Sequence, residues 1–284
     1  MRDPRQAGMV LPNFIIVGAM RAGTTGFCDV LAEHPEIYAH PAEIHFFSAD
    51  RLYSGGLGKY SEYFKTVSNE KAVGEKSPPY CFSPTAPERI QRDLPGVRLI
   101  WLFRNPTARS YSHYWHSVSK GIEYRTFEEG IEREKTLPDS ELSWRYVERS
   151  IYARQVERYL KYFRPEEMLF LLFEDLRKRP QEEFGRTSRF LEVDGSFQFQ
   201  FKDERQNFSR LPRNLKWNYM GYRYLSRFGP GPLRVFRRLM EVSGKYPPIK
   251  PETKARLDEI FAPHNQRLAE LTGLDLSSWS NGAK

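Results

Sequence analysis

The residues that suggest chemistry form three short groups. The first is "FIIVGAMRAGTTGF", an apolar run ending in Gly18, then a loop through Arg21 and Gly23 into Thr24 and Thr25. Backbone N–H groups at such a loop and in the first turn of the following helix have no intrahelical acceptor, so they form a ready anion site. A loop for a nucleoside triphosphate reads G-x-x-x-x-G-K-[ST]. Here the glycine spacing is right, but Thr24 stands where the lysine belongs, which removes the cation placed between β- and γ-phosphates. A plain strand-to-helix turn with threonine caps fits the same residues. The second group is "LIWLFRNPTARSYSHYWH", with Arg104 at a strand end and Ser112 about two turns into the next helix. A surface salt bridge and a helix-face hydroxyl are the structural alternative. The third is on the polar side: Glu43 and His45 in "HPAEIHFFSAD", and Lys76 ahead of a stiff Ser-Pro-Pro turn in "VGEKSPPY". Two residues apart on a strand, Glu43 and His45 would face the same way.

The elements that must position these groups alternate. Strands are expected at Phe14–Val17, Arg98–Phe103 and Met168–Phe173, each short and apolar as buried parallel strands are. Helical periodicity follows over Thr24–Glu33, Thr107–Lys120, Ile151–Phe163 and Glu182–Leu191. That alternation predicts an α/β fold, a three-layer P-loop-like parallel sheet flanked by helices. Both anion-binding groups then fall at the carboxyl ends of strands, where open α/β sheets bind ligands. Residues 1–12 read as a tail and 13–284 as a single domain. Within it, 198–248 forms a lid or acceptor-binding insertion, loop-rich or with short helices, dense in Arg, aromatic residues, Gly and Pro. From Pro251 a closing helix is expected, divided by Pro263.

Composition narrows the function classes. The 284 residues are 39% hydrophobic and 14% aromatic, in keeping with a folded core, and no apolar run spans a bilayer. The start, "MRDPRQAGMVLPNF", lacks the apolar centre of a signal peptide, so a cytoplasmic protein is expected. Two cysteines, Cys28 and Cys81, exclude a disulfide framework and a CxxC zinc site. His113 and His116 sit among aromatics without carboxylates, so no metal site is expected. A net charge of +8 favours an anionic ligand. Basic residues are interspersed with acidic ones, and no base-reading motif is present, which argues against nucleic acid.

In that order the motifs resemble those of sulfotransferases that use 3′-phosphoadenosine 5′-phosphosulfate (PAPS), in particular the heparan-sulfate-type branch. The resemblance runs from Phe14 to Trp279. It implies that Arg21, Ala22, Gly23, Thr24 and Thr25 hold the 5′-phosphosulfate, with Arg21 standing where that branch has lysine. It implies that Arg104 and Ser112 hold the 3′-phosphate, and that Ser243, Gly244 and Lys245 in "EVSGKYP" belong to a late loop closing on the phosphates. Ser150 and Tyr152 fall near the nucleotide in the same comparison. The "E-x-H-F-F" segment of that branch makes Glu43 the general base and His45 its helper. The "E-K-[ST]-P-x-Y" segment puts Lys76 near the sulfuryl group. PAPS is then the donor, 3′-phosphoadenosine 5′-phosphate (PAP) the product, and no metal is called for. The acceptor would be a hydroxyl, less readily an amine, on a carbohydrate-containing molecule, or else on a lipid or polyketide-like small molecule. The paired cysteines of the Golgi-lumenal relatives are absent, which fits a cytosolic and bacterial setting. A PAP-binding sensor without catalysis is the rival reading. Glu43 and Lys76 argue against it, because a sensor needs neither.

Overall fold

The computed structural model of the chain describes residues 8–138, 144–201 and 209–280. Among the described residues there are seven strands: β1 (Phe14–Gly18), β2 (Ile37–Ala39), β3 (Ala72–Lys76), β4 (Arg98–Phe103), β5 (Met168–Leu172), β6 (Ser209–Pro212) and β7 (Glu241–Gly244). The first helices are α1 (Thr24–Leu31), α2 (Asp50–Tyr53), α3 (Gly56–Ser61), α4 (Ala86–Asp93), α5 (Pro106–Ser119) and α6 (Phe127–Glu134). They are followed by α7 (Tyr152–Tyr159), α8 (Phe173–Lys178), α9 (Pro180–Phe190), α10 (Leu215–Leu225), α11 (Pro230–Met240), α12 (Pro251–Thr272) and α13 (Ser277–Ser280). The chain divides into two compact units, one of residues 1–104, 152–202 and 267–275, the other of 105–151, 203–266 and 276–284.

The first unit carries the sheet, five parallel strands in the order β2-β3-β1-β4-β5. Strands β1, β3 and β5 are buried along their whole length, as a sheet covered by helices on both faces requires. The α/β parallel sheet read from the sequence is the sheet observed. Two of its strands lack a sequence signature. Strand β3 reads Ala-Val-Gly-Glu-Lys, and its glycine is set by the neighbouring strand. Gly74 lies opposite Phe14, and a Cβ there would sit 2.5 Å from the Phe14 ring.

In the second unit, Tyr114 and Val118 of α5, Phe127 and Ile131 of α6, and Leu257 and Phe261 of α12 bury one another around Tyr146 and Ile151. Helix α12 runs unbroken through Pro263, contrary to the expected division. The lost N–H bond costs less than the burial of Leu257 and Phe261 before the proline and Leu268 after it supplies. The 198–248 segment is more regular than expected in its described part. Helices α10 and α11 stand between β6 and β7, which pair antiparallel across that helical hairpin.

Candidate active site

Strands β2, β3, β1 and β4 are neighbours in that order, and their carboxyl ends with the loops that follow carry most of the expected residues. The topology reverses direction beside β1, where a doubly wound sheet opens its crevice.

Beyond β1, the chain leaves through Gly18. A Cβ there would meet Cys81 Sγ at 2.6 Å and the Pro78 carbonyl oxygen at 2.9 Å, so only glycine lets the loop turn this close to the 78–81 turn. The loop closes with Ala22 N donating to the Ala19 carbonyl, and Gly23, left-handed at φ 88°, starts α1. The first intrahelical donor is Phe27 N, to the Gly23 carbonyl, which leaves the N–H groups of residues 23–26 as the helix's anion-facing donors. The first turn contains no acidic side chain. Thr24 is buried, while Gly23 and Thr25 are exposed.

Arg104 leaves β4 towards this loop. Its Nη1 donates to the Arg21 carbonyl oxygen at 3.3 Å, and its guanidinium lies 4.9 Å from the centre of the Phe173 ring. Tyr152 Oη donates to the Arg104 carbonyl oxygen at 3.0 Å, fixing the backbone that aims the side chain. Burial pulls the Arg104 guanidinium below its ordinary range. Glu174 and Tyr152 oppose the shift, and the like charges of Arg21 and Arg177 add to it. Two further guanidinium groups thus act on that of Arg104 near a helix N-terminus, a field that favours an anion. Arg177 belongs to this field yet carries no motif, and only the turn of α8 over Phe173 brings it there.

Beyond β3, Lys76 is buried and donates to the Pro41 carbonyl oxygen. Residues 41–45 are not a strand, as the shared-face reading supposed. Instead His45 takes a left-handed conformation, φ 58°, and this turn brings its Nε2 to 3.4 Å from Glu43 Oε2. Both side chains remain 39% exposed, open to a substrate. The turn is held from below. Ser77 Oγ accepts from Ile44 N at 3.2 Å and His45 N at 2.9 Å, and donates to Glu75 Oε2 at 2.7 Å. Tyr60 Oη donates to Glu75 Oε1 at 3.1 Å. Glu75 is fully buried, and that burial pushes its carboxyl up to about 7, against the hydrogen bonds from Ser77, Tyr80 and Tyr60 and with a smaller push from Glu43. Neither Glu75 nor Ser77 is singled out by the sequence reading, although both lie in the quoted "VGEKSPPY". Their role follows from β3, which was itself not legible.

The second unit carries the remaining expected residues. Ser112 is buried in α5. From the same helix, Tyr111 Oη donates to the Pro247 carbonyl oxygen at 2.9 Å, and Trp115 stacks on Tyr246 at 5.3 Å. The loop of Gly244 and Lys245 is therefore anchored along the helix that bears Ser112, and Lys245 itself is exposed. The Ser243 side chain lies outside the described residues. Ser150 is structural: it accepts from Arg109 Nε at 2.6 Å and donates to the Tyr146 carbonyl oxygen at 3.0 Å, deep in the unit. His113 packs edge-on to Tyr146. Both cysteines are buried thiols, and burial pushes Cys28 up to about 11. Among the described residues no three His, Cys, Asp or Glu side chains are grouped as metal ligands, and no helix is long and apolar enough to cross a membrane.

A loop with free helix N-terminal donors, a cationic strand end, a buried lysine and an exposed carboxylate lie at the carboxyl-end side of a parallel sheet of P-loop-like fold. The sulfotransferase domain model matches residues 11–272. The chain belongs to the sulfotransferase family. It is 30% identical over 266 residues to human (Homo sapiens) heparan sulfate glucosamine 3-O-sulfotransferase 3B1, covering 93% of this chain and 64% of that protein. The human 3A1 enzyme matches at the same identity over the same share of this chain, and 62% of its own length. The chain thus spans less than two thirds of these relatives. The crystal structure of a sulfotransferase from Alicyclobacillus acidocaldarius superposes with a TM-score of 0.73 at 27% identity, covering 95% of this chain and 99% of that one.

Proposed function

We propose that the chain transfers the sulfuryl group of PAPS to a hydroxyl of a carbohydrate-containing acceptor. The observation that carries this reading is the placement of the Gly18–Thr25 loop, Arg104, Lys76 and the Glu43–His45 pair at the carboxyl ends of the neighbouring strands β1, β4, β3 and β2. The acceptor class rests on the heparan-sulfate-directed relatives.

The α1 N-terminus and Arg21 hold the 5′-phosphosulfate, and Arg104 grips the 3′-phosphate through charge-assisted hydrogen bonds. Ser112 is assigned to that same phosphate and Ser243, Gly244 and Lys245 to the closing loop, on the strength of the family resemblance. Glu43 takes the proton of the acceptor hydroxyl as its oxygen attacks sulfur, with His45 orienting the carboxylate. The new O–S bond forms as the bond between sulfur and the bridging phosphate oxygen breaks, and PAP leaves with that electron pair. Lys76 and Arg21 stabilise the charge on the sulfuryl oxygens and the leaving oxygen.

The test is sulfuryl transfer from PAPS, followed by mass spectrometry, to glucosamine-containing oligosaccharides and separately to hydroxylated small molecules. A mass gain on the oligosaccharides alone is the expected result. Transfer only to small molecules would replace the acceptor assignment, and transfer to neither would remove the activity.

A further inference from the structure

Between Glu204 and Glu241 the sequence holds nine Arg and Lys residues and not one Asp or Glu, whereas the whole chain has a net charge of +8. Outside that stretch the protein is close to electrically neutral. Most of this segment is the hairpin of α10 and α11, and the structure sorts its residues into two sides.

The inward side is packed and paired. Phe236 of α11 lies against Gly221 of α10, where a Cβ would be 2.2 Å from the ring. Asn218 donates to the Val118 carbonyl oxygen, and Tyr222 to that of Ser119. Arg237 pairs with Glu241 at 2.8 Å. The outward side repeats a two-residue unit, a cation followed by an apolar residue. On α10 the units are Lys216–Trp217 and Arg223–Tyr224, and on α11 they are Arg234–Val235 and Arg238–Leu239. Arg227–Phe228 occupies the turn between the helices. All ten of these residues are exposed, with Phe228 at 75%, Leu239 at 69%, Val235 at 61% and Trp217 at 59%. Seven-residue spacing on α10 and four-residue spacing on α11 put the two cations of each helix on one line and its two apolar side chains on the line beside it. Among the described residues no carboxylate lies within ion-pair distance of the five cations.

We propose that the outward side of the α10–α11 hairpin docks on an anionic lipid surface, with the apolar stripe entering the headgroup boundary and the arginines and Lys216 reaching lipid phosphates and carboxylates. The chemistry selects this partner over others. A sulfated or carboxylated glycan would engage the cations and leave Val235, Leu239 and Phe228 uncovered. A second copy of the same face would bring like charge against like charge. An interfacial helix needs an apolar stripe, a basic flank and low overall hydrophobicity, and this hairpin has all three. Each basic residue near an anionic bilayer contributes on the order of 1 kcal/mol, roughly a fivefold gain in partition.

The experiment is vesicle co-sedimentation of the full chain without nucleotide or acceptor, so its outcome is independent of the proposed activity. Vesicles of phosphatidylcholine alone are compared with vesicles containing phosphatidylserine, at low and physiological salt. The expected result is partition onto the anionic vesicles at least about tenfold above the neutral ones, weakening with salt. The Val235→Asp/Leu239→Asp double variant should lose about tenfold or more, with Leu239→Ser as a milder check should the double variant melt early. No partition onto anionic vesicles at low salt overturns the proposal. So does partition that is unchanged in both variants, or heparin binding without vesicle binding, which would assign the face to a polyanionic chain.

Discussion

At the scale of single residues, the proposed chemistry divides into a proton acceptor and a phosphate grip, and substitutions should separate them. Glu43 is exposed and lies 3.4 Å from His45. Glu43→Gln should lower kcat by about 10²–10⁴ while PAP affinity, measured by calorimetry, stays within about twofold. An equal loss of both would move Glu43 out of the base role. Arg104 is the converse case. Arg104→Ala removes a guanidinium wedged between the Arg21 carbonyl and the Phe173 ring, and PAP affinity should fall by about tenfold or more. Adenosine 5′-phosphosulfate, which lacks the 3′-phosphate, should discriminate poorly between wild type and this variant. If both nucleotides weaken equally, Arg104 serves the loop rather than the 3′-phosphate. Glu43, His45, Lys76 and Arg104 stood out as candidates in the sequence because each lies in a short motif. Arg177 was not, because a lone arginine on a short helix has no pattern to mark it.

At the scale of elements, the turn bearing Glu43 and His45 depends on β3 beneath it. Ser77 Oγ ties both backbone N–H groups of that turn to the buried Glu75 carboxylate. Ser77→Ala should leave one buried and one half-buried donor without their acceptor, lowering stability by about 1–3 kcal/mol and kcat more than the KM for PAPS. A drop in PAPS affinity with kcat intact would place the effect in the nucleotide loop instead. Glu75 adds a pH dependence. Its carboxyl is raised from 4.5 to about 7, so the folded state binds its proton more tightly than the unfolded chain. Stability from this group is therefore present at low pH and lost as pH rises from about 4.5 through about 7, on the order of 3 kcal/mol in all. Glu75→Gln should flatten that slope, and melting curves of both proteins at pH 5 and pH 8 would show it. Parallel curves would mean that Glu75 titrates as an ordinary carboxylate. Strand β3 went unread because a buried strand of Ala, Val, Gly, Glu and Lys looks like a surface loop. Its glycine, acid and lysine make sense only against Phe14, Tyr60 and the 41–45 turn.

At the scale of the whole molecule, the donor-site proposal makes one prediction that needs no acceptor. PAP should raise the melting temperature, by about 2–4 °C for each kcal/mol of binding, while ADP and Mg-ATP leave it nearly unchanged. An equal shift by ATP would return the Gly18–Thr25 loop to the nucleoside triphosphate class despite Thr24. Motif order along the chain was enough to anticipate the sulfotransferase family and the parallel sheet, because buried strands ending in glycine or arginine and capped helices are local patterns. What local patterns could not supply were contacts between distant segments. The course of α12 through Pro263 was decided by burial on both sides of the proline. The β6–β7 ladder pairs strands about thirty residues apart across a helical hairpin, and the basic character of 205–240 became an outward stripe only when α10 and α11 packed their other sides. The amino-acid sequence by itself determined which residues can hold phosphate, accept a proton or carry charge, since those are properties of side chains and short loops. Tertiary structure decided which of them meet, because Glu43 reaches His45 through a left-handed turn, and that turn is held by a serine and a buried glutamate more than thirty residues away.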